Sequence, residues 1–170
     1  MIKASIAGKV SLNCTGDFFS KKIKEIFANL GGKGFYKTET LSPDTIKITS
    51  DKFLYRKINI NSLVFRTEKQ NGKITVSYEA DFSRWFMAML FLSFTLLIAF
   101  VIFFFFFNSK YSATMEVSHY VIIFGSVFFW AFIWPIIMTF FYKSMIKNFV
   151  ERILALIEAQ YMVLKQNHSR

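Results

Sequence analysis

The chain has 170 residues and a formal net charge of +10, and 54% of its residues are hydrophobic, among them 23 Phe. Its single cysteine, Cys14, excludes an internal disulfide and a multi-cysteine metal site, and the first 30 residues lack the apolar core of a secretory leader. Residues 1–84 mix charged and apolar side chains, whereas residues 85–142 contain one Lys and one Glu. We therefore place a domain boundary near Arg84.

The first two predicted elements are a strand and a helix. Apolar and polar residues alternate within Ile2–Cys14, which predicts a strand with its even-numbered side chains on the buried face. Thr15-Gly16-Asp17 predicts a turn, with Asp17 as the N-cap of a helix that runs to about Leu30 and ends in a left-handed cap at Gly31-Gly32. The apolar positions on one helix face are Phe19, Ile23, Ile26, Phe27 and Leu30.

The remainder of residues 1–84 reads as an antiparallel meander. Asn71-Gly72 is a strong signal for a hairpin turn between its last two strands, and Ile46–Thr49 is expected to pair with Phe53–Ile58. The predicted strands are Gly34–Thr40, Ile46–Thr49, Phe53–Ile58, Leu63–Thr67 and Ile74–Phe82. The fold class expected for this domain is α+β, with one helix on a mostly antiparallel sheet, in the order β-α-β-β-β-β, which counts four strands among the five segments that follow the helix.

Two apolar runs, 85–107 and 120–142, predict a transmembrane hairpin. Each has 23 residues without Asp, Glu, Lys, Arg or His. A helix of that length extends about 35 Å and crosses a hydrocarbon core of about 30 Å. Residues 108–119 are then an extracytoplasmic loop, and Pro135 is expected to kink the second span. The five consecutive residues Phe103–Phe107 become the end of the first span, because a helix distributes them around all its sides.

Basic and aromatic residues flank both spans and predict their orientation. Arg84 and Trp85 precede the first span, and Tyr142 and Lys143 follow the second, which are the positions that interfacial anchors occupy. Fifteen Lys and Arg residues precede the first span, one lies in the loop and five follow the second span. The positive-inside rule therefore predicts that both termini lie in the cytoplasm, in a bacterial-type inner or plasma membrane.

The segment 143–170 predicts a cytoplasmic amphipathic helix and tail. Its apolar residues at a and d spacing form a candidate helix interface: Ile146, Phe149, Ile153 and Leu156. Neighbouring apolar residues make this stripe too broad for a simple two-stranded seam. The helix could pack on the sheet domain, on the membrane surface or on a second subunit.

No residue pattern identifies a reaction, a metal or a cofactor, and we expect none of them. Glu79 and Asp81 share one strand face, but no histidine or metal partner accompanies them. His119 and His168 are isolated and fall in different predicted compartments, which argues against a metal site or a catalytic triad.

The basic balance of residues 1–84 suggests partners. These residues carry 15 basic and 8 acidic side chains, and Lys21, Lys22 and Lys24 are candidate contacts with anionic lipid headgroups. No nucleic-acid motif appears, so nucleic acid is not an expected partner. The layout resembles that of many bacterial membrane proteins, a resemblance that carries no functional residues.

The sequence leads to two functional hypotheses. The first is a non-enzymatic two-pass membrane protein that anchors a basic binding domain and forms a homo-oligomer or binds a partner protein. The second is an oligomeric channel or membrane-perturbing effector controlled by the cytoplasmic domain. For the second, the hydroxyl side chains within the spans are candidate pore-lining groups: Ser93, Thr95, Ser126 and Thr139.

Overall fold

The computed structural model describes residues 4–30, 35–50, 60–70, 73–111 and 117–168. The strands are β1 Ser5–Leu12, β2 Tyr36–Ser42, β3 Thr45–Ser50, β4 Ser62–Gln70 and β5 Lys73–Asp81. The helices are α1 Gly16–Asn29, α2 Ser83–Tyr111, α3 Val117–Phe128 and α4 Trp134–His168, with a π-helical segment, Phe129–Ile133, between α3 and α4. The predicted α+β class is confirmed.

The chain forms two compact units. Residues 1–84 and 143–170 make up the first, which we call the sheet unit. Residues 85–142 make up the second, which we call the hairpin unit. The C-terminal helical segment therefore belongs to the same compact body as the strands, although more than 50 residues separate the two in the sequence.

The sheet has the strand order β1-β5-β4-β3-β2, and every neighbouring pair is antiparallel. β4 and β5 pair along their whole length, and Gln70 opposite Lys73 is the last pair, so the predicted hairpin is present. Its predicted turn, Asn71-Gly72, lies outside the described residues. β3 pairs with β2 on one side and with β4 on the other, so both of its edges are occupied. Its predicted partner, Phe53–Ile58, lies outside the described residues.

Alternation along the strands gives the sheet one apolar and one polar face. On β5, Val76, Tyr78 and Ala80 are buried, while Ser77 and Glu79 between them are only half-buried. The register brings the apolar side chains of neighbouring strands together on one face, where the buried members are Leu12, Ile46, Ile48, Leu63, Phe65, Ile74, Val76, Tyr78 and Ala80. Burying one such large side chain contributes about 1.5–3 kcal/mol, so this face supplies most of the core.

Helix α1 covers the β2 to β4 side of the apolar face. The Phe27 ring lies 5.3 Å from the Tyr36 ring and 6.5 Å from the Phe65 ring, and Phe19 also contacts Phe65. The predicted N-cap was wrong by two residues, because Thr15 Oγ1 accepts a hydrogen bond from the Phe18 N–H at 3.4 Å. Asp17 lies in the first turn instead, where its negative charge favours the helix N-terminus. The predicted cap at Gly31-Gly32 lies outside the described residues.

The sheet-unit part of α4 packs beside α1 on the same face. Phe149 contacts Phe27 with their ring centroids 6.4 Å apart. At the far end, Glu158 Oε1 accepts hydrogen bonds from the Asn13 N–H at 2.9 Å and from Asn13 Nδ2 at 2.7 Å. The fully buried side chains of this segment are Ile146, Val150, Leu154 and Ile157. Of the three packings that the sequence left open, the structure contains the one on the sheet.

Within the hairpin unit the helices extend beyond the predicted spans. α2 continues to Tyr111 and α3 begins at Val117, so residues 108–111 and 117–119 of the predicted loop are helical. Pro135 explains the π-helical segment, since it lacks an N–H and its ring clashes with the carbonyl four residues earlier. The helix widens before it, and the Trp134 N–H donates to the Phe129 carbonyl five residues back.

Candidate functional site

The hairpin unit presents apolar side chains outward along its length. Only 6% of the most apolar window of each helical stretch is buried, whereas the core helix of a soluble protein would be mostly buried. Large exposed residues include Phe91, Phe94, Ile102, Phe105, Phe106, Ile122, Ile136, Phe140 and Phe141. In water such a surface is strongly unfavourable, whereas in hydrocarbon it is matched to its solvent. Within the described residues, two helical stretches are long and apolar enough to cross a membrane.

The four predicted interfacial anchors lie where the chain passes between the sheet unit and the hairpin unit. The Trp85 and Tyr142 rings are stacked, with centroids 4.0 Å apart and planes 3° from parallel. This contact brings the first residue of one span next to the last residue of the other. In the sheet unit, Arg84 Nη1 donates to the Ser50 carbonyl at 3.4 Å, and Lys143 is half-buried. Stacked aromatic rings at this position fit the headgroup level of a bilayer.

An apolar groove of about 400 Å³ lies between α2 and the α3–π stretch of the hairpin unit. Leu96, Leu97 and Phe100 form one wall, and Ser126, Val127, Trp130 and Ala131 form the other. Sequence analysis did not predict this groove, because its lining comes from two helical stretches and includes Trp130 and Ala131 of the π-helical segment. A Pro135 preceded by aromatic residues is the only local signal.

The hydroxyl groups within the spans differ in their hydrogen bonding. Ser93 donates to the Met89 carbonyl at 3.0 Å, Thr95 to Phe91 at 2.9 Å and Thr139 to Pro135 at 2.7 Å. Each of these bonds returns to the carbonyl one turn earlier, so the hydroxyl is satisfied within its own helix. Among the described contacts of the hairpin unit, Ser126 makes no hydrogen bond through its hydroxyl, and it lines the groove.

The polar face of the sheet is the second candidate surface. Within the sheet unit, both α1 and α4 pack on the opposite face, and no described helix or strand packs on this one. A shallow depression of about 150 Å³ lies over β5 and its two neighbours, β1 and β4, and is lined by Ala7, Gly8, Val64, Arg66, Ser77, Tyr78 and Glu79. Lys9 and Glu68 form an exposed ion pair at 3.3 Å beside it. The face therefore combines small side chains at its centre with charges of both signs.

The predicted lysines on α1 are not equivalent. Lys22 forms an ion pair with Glu25 at 2.8 Å, and its hydrogen bond and charge lower the pKa of that carboxyl. Lys21 is exposed and Lys24 is half-buried. One of the three candidate charges is therefore already paired within the helix.

The candidate interface residues of α4 differ in how far they are buried. Ile146 and Ile153 are buried against the sheet, and Phe149 contacts Phe27. Leu156 lies outside this buried stripe and is 49% exposed. The reason is geometric: the helix covers a broad sheet with a wide stripe of period 3.6, whereas strict a and d spacing describes a narrow seam of period 3.5.

The potentially reactive side chains of the sheet unit have structural roles. Cys14 is buried, and burial together with the nearby Glu158 charge raises its pKa from 9.0 to about 11, so the thiol is protonated at neutral pH. The Asp81 carboxylate accepts hydrogen bonds from the N–H and hydroxyl of Ser83 and so caps the start of α2. Within the described part of the chain, no three His, Cys, Asp or Glu side chains lie together at metal-binding distance.

The contact between Asn13 and Glu158 was missed by sequence reasoning. The two residues are 145 positions apart, and each is an ordinary polar residue in its own segment.

Comparisons of the chain with protein-family models, with curated proteins and with solved structures give no match. The two candidate surfaces are thus the polar sheet face and the groove of the hairpin unit.

Proposed function

We propose that this chain is a non-enzymatic two-pass integral membrane protein that anchors a small basic binding domain on the cytoplasmic side of a bacterial-type inner or plasma membrane. The observation that carries this proposal is the contrast between the two units. The hairpin unit exposes apolar side chains along two helical stretches, whereas the sheet unit buries its apolar face under its own two helices. Because one unit suits hydrocarbon and the other suits water, the boundary between them is expected at the membrane surface.

The binding surface in this proposal is the polar face of the sheet. The α4 segment completes the core on the other face, so this face is not needed to stabilise the domain. Its charges have both signs, with Lys9 and Arg66 beside Glu68 and Glu79. A phosphate-rich partner selects a surface of one sign, whereas a protein surface is matched by alternating charges. We therefore expect a partner protein here, and a lesser role for anionic headgroups at Lys21 and Lys24.

The channel hypothesis receives less support. Three of the four span hydroxyls donate to carbonyls of their own helices, which leaves them poorly placed to line an aqueous path. The spans contain no charged side chain, and ion pathways commonly use such groups. Expression without membrane depolarisation is expected, and depolarisation with growth arrest would favour the channel instead.

Membrane insertion and orientation are tested by extraction and by fusion. The full chain should stay in the pellet after alkaline carbonate extraction of membranes. Alkaline phosphatase fused after residue 113 should be active, and the same enzyme fused after residue 170 should be inactive. The reverse activities would contradict the orientation, and release by carbonate would contradict insertion.

The binding face is tested by site-specific photo-crosslinking in cells. A photoreactive amino acid at Ser77, in the central depression, should give discrete higher-mass products with a protein partner. The matched control is Ala28, an exposed residue on α1 that faces away from the sheet. Equal products from both positions, or none from Ser77, would contradict the assignment of the polar face.

A further inference from the structure

The sheet has one end at which the chain leaves the sheet unit for the hairpin unit, and we call this the exit end. Asp81, the last residue of β5, pairs there with Ser62, the first residue of β4. The Asn61 N–H donates to the Asp81 carbonyl at 2.7 Å, and the Ser50 N–H donates to the Asn61 carbonyl at 3.2 Å. Arg84 lies at this end too, because its Nη1 donates to the Ser50 carbonyl at 3.4 Å. The exit end therefore gathers one end each of β3, β4 and β5.

Within the sheet unit, α4 runs from the exit end to the opposite end, which we call the far end. Near its start, Phe149 contacts Phe27, and the Phe27 ring also lies 5.3 Å from the ring of Tyr36. Tyr36 begins β2, and its register partner is the last residue of β3, at the exit end. Later in α4, Glu158 accepts hydrogen bonds from Asn13, which follows the far end of β1. The first residues of this part of α4 thus lie toward the exit end.

Four basic side chains, which we call the exit cluster, lie at the exit end: Lys37, Arg84, Lys143 and Lys147. Lys143 and Lys147 are one helical turn apart on α4, and Lys37 is the second residue of β2. Lys143 is half-buried and the other three are exposed. Glu79 and Asp81 add two carboxylates, and that of Asp81 already caps the start of α2. The described residues at this end therefore carry an excess of positive charge.

The far end has a different balance of charge. Phe18 contacts Tyr161 with ring centroids 5.1 Å apart, so the first turn of α1 lies beside the late part of α4. Lys21, which the sequence proposed for lipid contact, comes one turn later and so lies toward the far end. The acidic residues of that end are Asp17, Asp44, Glu68 and Glu158. A phosphate-rich surface favours the exit end, because fewer carboxylates offset its basic side chains.

We propose that the exit cluster binds the headgroups of anionic phospholipids at the membrane surface. Arg84 and Lys143 are each one peptide bond from the apolar hairpin unit, so insertion of the hairpin places the exit end among headgroups. Basic side chains so close to an anionic leaflet are attracted to it, and the long stems of Lys and Arg let their charges reach the phosphates. The partner is thus selected by where the chain is anchored as well as by charge. This role depends on the membrane insertion proposed above.

The headgroup preference of the full chain is measured in phosphatidylcholine vesicles. These contain a trace of spin-labelled phosphatidylglycerol or spin-labelled phosphatidylcholine, and electron paramagnetic resonance separates lipid held at the protein from free lipid. The wild type should prefer phosphatidylglycerol about twofold or more at low salt. The preference should approach one in about 1 M salt, where the screening length falls to roughly 3 Å. Equal binding of the two lipids at low salt overturns the proposal.

Two triple variants with the same change in net charge locate the contact. The exit variant combines Lys37→Gln, Lys143→Gln and Lys147→Gln, and it retains Arg84 with its hydrogen bond to Ser50. The control combines Lys21→Gln, Lys69→Gln and Lys73→Gln, which are exposed residues toward the far end. The exit variant should lose about half of the preference or more, and the control should keep most of it. Equal losses, or a larger loss in the control, overturn the exit cluster as the site.

The same vesicles separate the exit cluster from the proposed function. A wild-type chain that holds lipid at its surface without a headgroup preference overturns the exit cluster and leaves the membrane anchor intact. A chain that holds no lipid and is released by carbonate overturns the anchor first. If the exit variant has a lowered melting temperature, Lys147→Gln is compared with Lys73→Gln, because each removes one exposed charge. A lower preference in Lys147→Gln supports the exit cluster, and equal preferences overturn it.

Discussion

The ring of Tyr78 on β5 lies over the α-carbon of Gly8, its register partner on β1. A Cβ built on Gly8 would lie 2.6 Å from Tyr78 Cε1 and would contact Cζ and the hydroxyl even more closely. No real Cβ tolerates such distances without movement of the ring. The volume that glycine leaves empty is therefore occupied by Tyr78, which is 3% exposed.

Gly8→Ala should lower the free energy of unfolding by about 1–3 kcal/mol, because the buried Tyr78 ring must shift out of its site. In a Tyr78→Ala background the same change should be neutral or stabilising, since alanine suits a strand better than glycine by about 0.5–1 kcal/mol. Thermal unfolding of the purified chain in mild detergent, followed by circular dichroism, compares the wild type with the two single variants and the double variant. An equal cost of Gly8→Ala in both backgrounds would refute the contact.

The buried thiol predicts a pH dependence of stability in the alkaline range. Burial, aided by the Glu158 charge, raises the pKa of Cys14 from 9.0 to about 11 in the folded state. A raised pKa means that folding favours the protonated thiol, so its contribution is fully present below about pH 9 and is lost as the pH rises toward 11. The melting temperature should therefore fall more steeply over this range in the wild type than in Cys14→Ala.

The comparison with Cys14→Ala isolates the thiol, because Tyr78 is present in both proteins. Burial also raises the pKa of Tyr78, and Glu151 adds to this effect, which gives both proteins the same further slope. Parallel melting curves from pH 8 to 11 in the two proteins would show that the thiol is not held in the protonated form. The same burial predicts that Cys14 reacts slowly with thiol reagents until the protein is unfolded.

The sheet unit should fold without the hairpin if its C-terminal helix is retained. A short Gly-Ser linker can join Arg84 to Lys143, because the neighbouring residues Trp85 and Tyr142 are stacked with their ring centroids 4.0 Å apart. The linked chain contains the whole sheet unit without the apolar hairpin unit, so it should be soluble and monomeric. Size-exclusion chromatography and cooperative thermal unfolding provide the measurement.

A fragment that ends at Arg84 should aggregate or lack cooperative unfolding, because the apolar face beneath α4 is then exposed. In the linked chain, Leu154→Asp should have a similar effect, since Leu154 is fully buried. The control Leu156→Asp changes a side chain that is 49% exposed and should be tolerated. A stable, monomeric fragment 1–84 would show that α4 is not required for the core.

Glu158 should stabilise the far end of α4 through Asn13. Glu158→Ala removes two hydrogen bonds and should cost about 1–2 kcal/mol, whereas Asn13→Ala removes only the bond from Nδ2 and should cost less. In the linked soluble chain, hydrogen exchange of the α4 amides near Glu158 should accelerate in Glu158→Ala. The control Glu151→Ala removes a weak ion pair with Lys147 at 3.9 Å but no contact with Asn13, and it should leave that exchange unchanged.

Features that depend on a local pattern were predicted from the residues alone. Period-two alternation identified β1 and β5, helical spacing identified the face of α1 that includes Phe19 and Phe27, and Asn71-Gly72 marked the last hairpin. The two uncharged runs identified helices that suit hydrocarbon. Each of these signals is contained within about 25 consecutive residues, so backbone geometry and solvent preference are enough to read it.

Which surfaces meet depends on contacts between segments that are distant in the sequence. The amphipathic pattern of 143–170 left packing on the sheet, on the membrane surface or on a second subunit open, and packing on the sheet depends on an apolar face built from residues more than 60 positions away. The ring of Tyr78 over Gly8 and the pairing of Asn13 with Glu158 have no local signature, because each joins residues that are distant in sequence. The groove beside Ser126 likewise depends on the widened helix before Pro135, and packing in three dimensions gave it its shape.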